Sequence, residues 1–233
     1  EGAGWVDAVG PDVSHLVIGQ PVLLNWAIPC GHCMPCQQSH GHLCDRTQGL
    51  SKESPSVASP HTEWQQQAIR RSFNLGTFSE YALVRSEALT PLPAHLPMHE
   101  ACILGCGVMT GVGSVINSAN VQAGESVVVL GCGGVGLSVI QGARIAGAKS
   151  IIALDKRIES LERARHMGAT HTWRIEDNDA KFEAAVAHVR SLTDGRGADY
   201  AFEATGQHSL AFAPLKFIAM AVLRCNFQAH TAR

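Results

Sequence analysis

The sequence predicts an α/β protein: a partial, barrel-like β domain carrying a cysteine lobe, then a doubly wound parallel sheet cut short after its fourth strand. Three observations predict it. Residues 127–155 (VVVLGCGGVGLSVIQGARIAGAKSIIALD) read as strand, glycine turn, helix, strand and acid. Cys30, Cys33, Cys36 and Cys44 fall within fifteen residues at metal-ligand spacing. The first 24 residues hold short apolar runs broken by Gly and Pro, the mark of a small antiparallel domain.

Composition narrows the classes. The 233 residues are 45% hydrophobic and 16% charged, with a net charge of −2. That is enough apolar material for two cores, and no basic patch points to nucleic acid. No apolar run reaches the ~18 residues of a membrane span, and no signal peptide is visible. Eight cysteines, half of them in one short lobe, read as metal ligands in a reducing compartment, the cytoplasm, rather than a disulfide framework.

Residues 4–10 and 19–24 read as strands around a Pro11-Asp12 turn. The lobe follows: C-x₂-C-x₂-C, seven residues, then Cys44. Four thiolates so spaced can wrap one tetrahedral Zn²⁺, and Gly31, Pro35 and Gly41 suit the tight chelate turns. An iron–sulfur run would place its fourth Cys after three residues and follow it with Pro; here Asp45 follows. His32, His40 and His42 could substitute as ligands, but with four Cys at hand they read as loop residues. With all four positions filled by protein, such an ion shapes the lobe and does no chemistry. Residues 47–71 read as a polar surface excursion with a short helix at 63–71, and residues 76–85 as a strand. Prolines 91, 93 and 97 lead out of the β domain, and residues 99–119, small and apolar, connect it to the next.

In the organising stretch, Gly131 permits a tight turn, Gly133 lets backbone approach a pyrophosphate, and Gly136 lets helix pack close to strand. The helix start, with Gly134, Val135 and Gly136, offers free N–H groups to phosphate. Asp155 can accept both ribose hydroxyls and repels a 2′-phosphate, so NAD is favoured over NADP; Lys156 and Arg157 soften that preference. A lone G-x-G-x-x-G also makes ordinary turns, but here both strands and the acid are in place. Beyond it the pattern predicts a helix at 158–167, a strand entered from Gly168 to Trp173, a helix at 181–192, a fourth strand at 197–206 ending on Gly206, and a helix at 208–218.

Taken together, E-G-A-G-W-V-D-A-V-G at the start, the four-Cys lobe, G-T-F-S-E-Y (76–81), L-G-C-G-V-M-T-G (104–111), G-C-G-G-V-G (131–136) and F-E-A-T-G (202–206) resemble the zinc-containing medium-chain alcohol dehydrogenase family. Residues 101–140 look most like its glutathione-dependent formaldehyde dehydrogenase, class III-like branch. The resemblance implies a partial GroES-like domain at 1–108, a partial Rossmann domain at 109–218 and a divergent tail at 219–233. It implies Zn²⁺ and NAD as cofactors, and hydride transfer from an alcohol or S-hydroxymethyl thiol, with a small alcohol or aldehyde as partner. Cys106 matches the last of three ligands of a catalytic zinc, and Glu1 the acid beside a ligand His. Thr110 matches a residue near the nicotinamide and Val135 the one behind its ring. Gly131, Gly133, Gly134, Gly136, Asp155 and Gly206 complete the cofactor set.

The sequence also departs from that family. The ligand His before Glu1, the first ligand Cys and the proton relay are not among these residues, and Gln20 replaces an acid after Gly19. The last strands of the sheet, which in homo-oligomeric relatives carry the dimer contact, are not present either. The expectation is a fragment truncated at both ends whose 233 residues alone do not oxidise alcohols. The alternative to an enzyme is therefore a non-catalytic remnant that binds zinc and dinucleotide. A zinc-ribbon nucleic-acid binder fits neither the charge nor the dinucleotide pattern.

Overall fold

The computed structural model describes residues 1–45, 62–69, 73, 75–179 and 181–219. The expected tail lies almost wholly outside them, as does most of the expected surface excursion. The chain divides into two compact units, Glu1–Cys106 and Gly107–Arg233.

The first unit is built on an antiparallel sheet in the order β1 (Ala3–Trp5), β2 (Pro21–Leu24), β5 (Leu89–Pro91). Val22 and Leu24, two apart, are buried on the inner face of β2, as strand alternation requires. Leu24 joins Ile28, Leu75 and Ala88 in one core, and Val22 joins Val6 and Leu16 in a second. The barrel-like part is thus an open three-stranded sheet among the described residues. Two expectations fail. The helix at 63–71 is instead a hairpin of β3 (Thr62–Trp64) and β4 (Gln67–Ile69). Its turn residues Gln65 and Gln66 both have positive φ, the two-residue geometry that matches strand twist. The strand at 76–85 does not form either. A strand exists only by pairing, and no described strand lies alongside; Ser79 Oγ instead donates to the carbonyls of Gly76 and Tyr81 at 2.8 and 2.7 Å.

The second unit is a four-stranded parallel sheet of β6 (Ser126–Leu130), β7 (Ser150–Asp155), β8 (His171–Arg174) and β9 (Tyr200–Glu203). The spatial order is β8-β7-β6-β9, so the order in which strands join the sheet reverses between β6 and β9, which are themselves parallel. Every residue of β6 is buried, which a strand covered on both faces demands. Val127, Val129, Ile151 and Ala153 face one core with Ile140 and Ala143 of helix α4 (Gly134–Ile145) and Leu161 and Ala164 of α5 (Ile158–Met167). Val128, Leu130, Ile152 and Leu154 face the other, with Ala185 and Val189 of α6 (Glu183–Ser191). Asp199 ties the strand starts together, accepting from the Ser126 N–H at 2.8 Å and its hydroxyl at 2.6 Å.

Helix α5 has the expected limits. The helix at 208–218 is two short 3₁₀ turns, His208–Leu210 and Ala213–Lys216; Pro214 has no N–H to give a longer α-helix. The connecting stretch contains α2 (Met98–Ala101) in the first unit and α3 (Gly107–Gly113), continued by a π turn at Ser114–Ala119, in the second. The lobe helix α1 is Met34–Gln37. Helix α3 lies against α4 at Gly111, where a Cβ would come within 2.4 Å of the Ser138 Cβ. No single described helix is long and apolar enough to cross a membrane.

Candidate functional site

The lobe gathers its four thiols. The sulfurs of Cys30, Cys33, Cys36 and Cys44 all lie within 4.8 Å of one another. Cys30 and Cys36 Sγ are 4.0 Å apart, and Cys33 and Cys44 Sγ 3.9 Å. Tetrahedral zinc with bonds of ~2.3 Å needs sulfurs about 3.8 Å apart, so the donor set fits that ion. The local fold explains the convergence. Gly31, at φ +80°, turns the chain back, and the Cys33 N–H points at Cys30 Sγ at 3.4 Å. Pro35 sits in the first turn of α1, where its missing N–H costs nothing, and the Cys30 N–H points at the buried Cys44 Sγ at 3.3 Å. The His32 N–H holds the Cys30 thiol below its ordinary value, while desolvation pushes Cys36 up to about 11. His32, His40 and His42 are exposed and outside the cluster, as loop residues should be.

The glycine turn is built as a close contact between backbone segments. Gly131 has φ +92°, and a Cβ there would meet the Thr205 N–H at 2.8 Å. At Gly136 a Cβ would fall 1.9 Å from the Gly131 carbonyl oxygen, so only glycine lets α4 sit on the turn. Gly133 differs: nothing lies within 4 Å of its missing Cβ. It is the N-cap of α4 and supplies no side-chain cap, and no acid occupies the first helical turn. The approach to these N–H groups is open to an anion.

Gly131, Gly133 and Asp155 meet at a cavity of about 340 Å³ at the carboxyl ends of the parallel strands. Asp155 Oδ2 accepts the Cys132 N–H at 2.7 Å, and Oδ1 accepts the Arg157 N–H at 2.8 Å. Lys156 and Arg157 also line the cavity, and Lys156 pairs with Asp177 at 2.9 Å. That pairing holds the Asp177 carboxyl below its usual range. The Cys132 thiol is buried and pushed up to about 12, chiefly by desolvation with the Asp155 charge adding, so it is no nucleophile. Across the cavity, Glu203 accepts from the N–H of Thr205 at 2.6 Å and from its hydroxyl, which fixes the turn after β9.

The other expected residues stand apart from that cavity. Gly134 and Val135 form the first turn of α4 beside it, Val135 partly exposed. Gly206, at φ +71°, makes the turn between Thr205 and Gln207, which do line it. Thr110 is on the exposed side of α3, its carbonyl accepting from Ser114 Oγ at 2.6 Å. In the first unit, Cys106 is half-buried, and the Glu1 carbonyl accepts from Thr77 Oγ1 at 2.9 Å. Among the described residues the lobe thiols are the only cluster of three or more metal donors, so Cys106 has no such company there.

Sequence reasoning missed the apolar wall of the cavity: Ile175, Phe182 and Leu210. Ile175 had a signal, since it directly follows a parallel strand, where such sheets bind ligands. Phe182 and Leu210 had none, because their place depends on how distant loops fold back.

Comparison with known proteins agrees with this geometry. Residues 1–94 match the alcohol dehydrogenase GroES-like domain, and residues 134–219 match the zinc-binding dehydrogenase family. The S-(hydroxymethyl)glutathione dehydrogenase of Saccharomyces cerevisiae is 37% identical over 209 residues, 88% of this chain and 54% of that protein. An alcohol dehydrogenase zinc-binding domain protein from Burkholderia ambifaria is 36% identical, with a TM-score of 0.77 over 93% of this chain and 57% of its own. The benzyl alcohol dehydrogenase of Acinetobacter calcoaceticus is 29% identical, with a TM-score of 0.77 over 99% of this chain and 62% of its own. The chain thus spans about half the length of the curated relatives it matches. An open GroES-like sheet with a four-thiol lobe, followed by a Rossmann sheet with its glycine turn and acid, places the chain in the zinc-containing medium-chain alcohol dehydrogenase family.

Proposed function

We propose that the chain serves an NAD- and zinc-dependent dehydrogenase acting on a primary alcohol or an S-hydroxymethyl thiol. The observation that carries this reading is the meeting of Gly131, Gly133 and Asp155 at one cavity under the open N-terminus of α4. The pyrophosphate would lie against the turn at Gly133, where no side chain intrudes. Asp155 uses one lone pair on each oxygen for the backbone and keeps the others for ribose hydroxyls. Ile175, Phe182 and Leu210 offer the adenine an apolar slot. Thr110 and Val135 are proposed to flank the nicotinamide, and Gly134, Gly136 and Gly206 to shape the turns around the cofactor.

Bound NAD supplies the hydride acceptor and a catalytic zinc the Lewis acid. Cys106 is proposed as one ligand of that zinc and Glu1 as an acid near it; the remaining donors are not among the described residues, so no step is assigned to them. The lobe thiols are proposed to hold a structural zinc. Such thiols and such a cofactor suit a reducing setting, and the cytoplasm is the proposed compartment. The test is NADH formation from primary alcohols and S-hydroxymethylglutathione, together with NADH binding to the purified protein. Binding that weakens in D155A, and turnover that is lost in C106S with the lobe zinc retained, support the reading. Absence of NADH binding in the unaltered protein overturns it. NADH binding without turnover favours the second reading, a binding remnant.

A further inference from the structure

The Lys156–Asp177 ion pair lies at the ribose end of the cavity and has no part in the function proposed above. Lys156 follows Asp155 directly and lines the cavity; Asp177 does not line it. The ammonium sits 2.9 Å from Asp177 Oδ1. The chain after β8 is fixed next to this pair, because Arg174 Nε donates to the Lys156 carbonyl at 3.2 Å and lies 3.8 Å from Glu176.

We propose that Asp177 is a positioning residue for cofactor selectivity, acting through Lys156. Resting on the reading of the cavity as a dinucleotide site, the argument is one of charge. A 2′-phosphate brings strong negative charge to the place where Asp155 receives the ribose, and repulsion from Asp155 must be offset by a cation for NADP to bind. Lysine is a flexible point charge well suited to that task. While Asp177 holds and neutralises it, the ammonium is not available, and Asp155 sets the preference. The pair is exposed, with 62% and 93% of the two side chains accessible, so the hold is weak and its release should give a graded gain rather than a reversal. Arg157 is a second cation on this rim and is common to every variant below, so it cannot account for differences among them.

The experiment is titration of the purified protein and its D177N, D177E and D177N/K156M variants with NADH and NADPH. D177N should bind NADPH about two- to fivefold more tightly, with NADH changed less than about 1.5-fold. D177E should keep the parent's values. D177N/K156M should lose the gain, and the gain in D177N should shrink as salt rises from about 0.05 to about 0.5 M, as an exposed charge effect must. An unchanged NADPH affinity in D177N, equal tightening of both dinucleotides, or a gain that survives K156M overturns the proposal while leaving the cavity reading intact, provided the parent binds NADH. Failure of the parent to bind either dinucleotide overturns the cavity reading and this proposal with it.

Discussion

Asp155 Oδ2 accepts the backbone N–H of Cys132 at 2.7 Å, joining the end of one strand to the middle of the glycine turn that follows its neighbour. The same carboxylate takes the Arg157 N–H through its other oxygen. An acid read from sequence as a ribose ligand is therefore also a brace for the pyrophosphate turn. D155A should cost about 1–3 kcal/mol of stability, because it leaves the half-buried Cys132 N–H without its charged acceptor, while the exposed Arg157 N–H can turn to water. It should weaken NADH binding more than NADPH binding, since a ribose contact and a repulsion go together. Urea unfolding and paired titrations check this. Unaltered stability would show that the brace is dispensable.

Two glycines three residues apart should respond oppositely. A methyl group at Gly136 meets the Gly131 carbonyl oxygen at 1.9 Å, so G136A should destabilise the second unit by about 3 kcal/mol or more and remove NADH binding. A methyl group at Gly133 meets nothing, and its φ of −79° suits alanine. G133A should melt within a few degrees of the parent, a shift of about 1 kcal/mol or less, while binding NADH much more weakly. Melting curves alongside binding isotherms separate the two effects.

C33A should release about one zinc per chain, because three thiolates and water no longer make a closed tetrahedral site. The first unit should then lose protease resistance around residues 30–45. The parallel sheet, whose cores contain no lobe residue, should keep its thermal transition. Metal analysis after dialysis and limited proteolysis test this; full zinc retention in C33A would refute the four-thiol site.

His188 stacks on Trp173 with ring centroids 4.2 Å apart. Desolvation, with the nearby His171 adding, lowers its pKa in the folded protein. As pH falls through the ordinary histidine value of about 6.5, the unfolded chain takes up the proton first, so stability is lost on the acid side and the loss ends below the folded pKa. Above about pH 7 both states are neutral and the group contributes no pH dependence. H188F keeps an aromatic stack without a titrating group, so its stability should fall less than the parent's between about pH 7 and pH 5. Denaturant midpoints at several pH values measure the difference.

The sequence by itself determined what neighbours along the chain decide. The apolar runs of β6 and β7, the helix at 158–167, the turn at Gly131 and the chelating spacing of four cysteines are all local, and each was legible from residue type and interval. The tertiary structure alone decided what depends on a distant partner. Residues 76–85 have the composition of a strand but no described strand to pair with, and strand structure is made by pairing. Residues 62–69 became a hairpin because Gln65 and Gln66 adopt positive φ, which their side chains do not announce. The cavity wall joins Ile175 and Phe182, at the two ends of the connection between β8 and α6, with Leu210 of the 3₁₀ turn after β9, and the bond from Cys132 to Asp155 spans 23 residues. Such contacts follow from the order β8-β7-β6-β9, which brings the carboxyl ends of the strands together; periodicity within any one segment carries no record of that order.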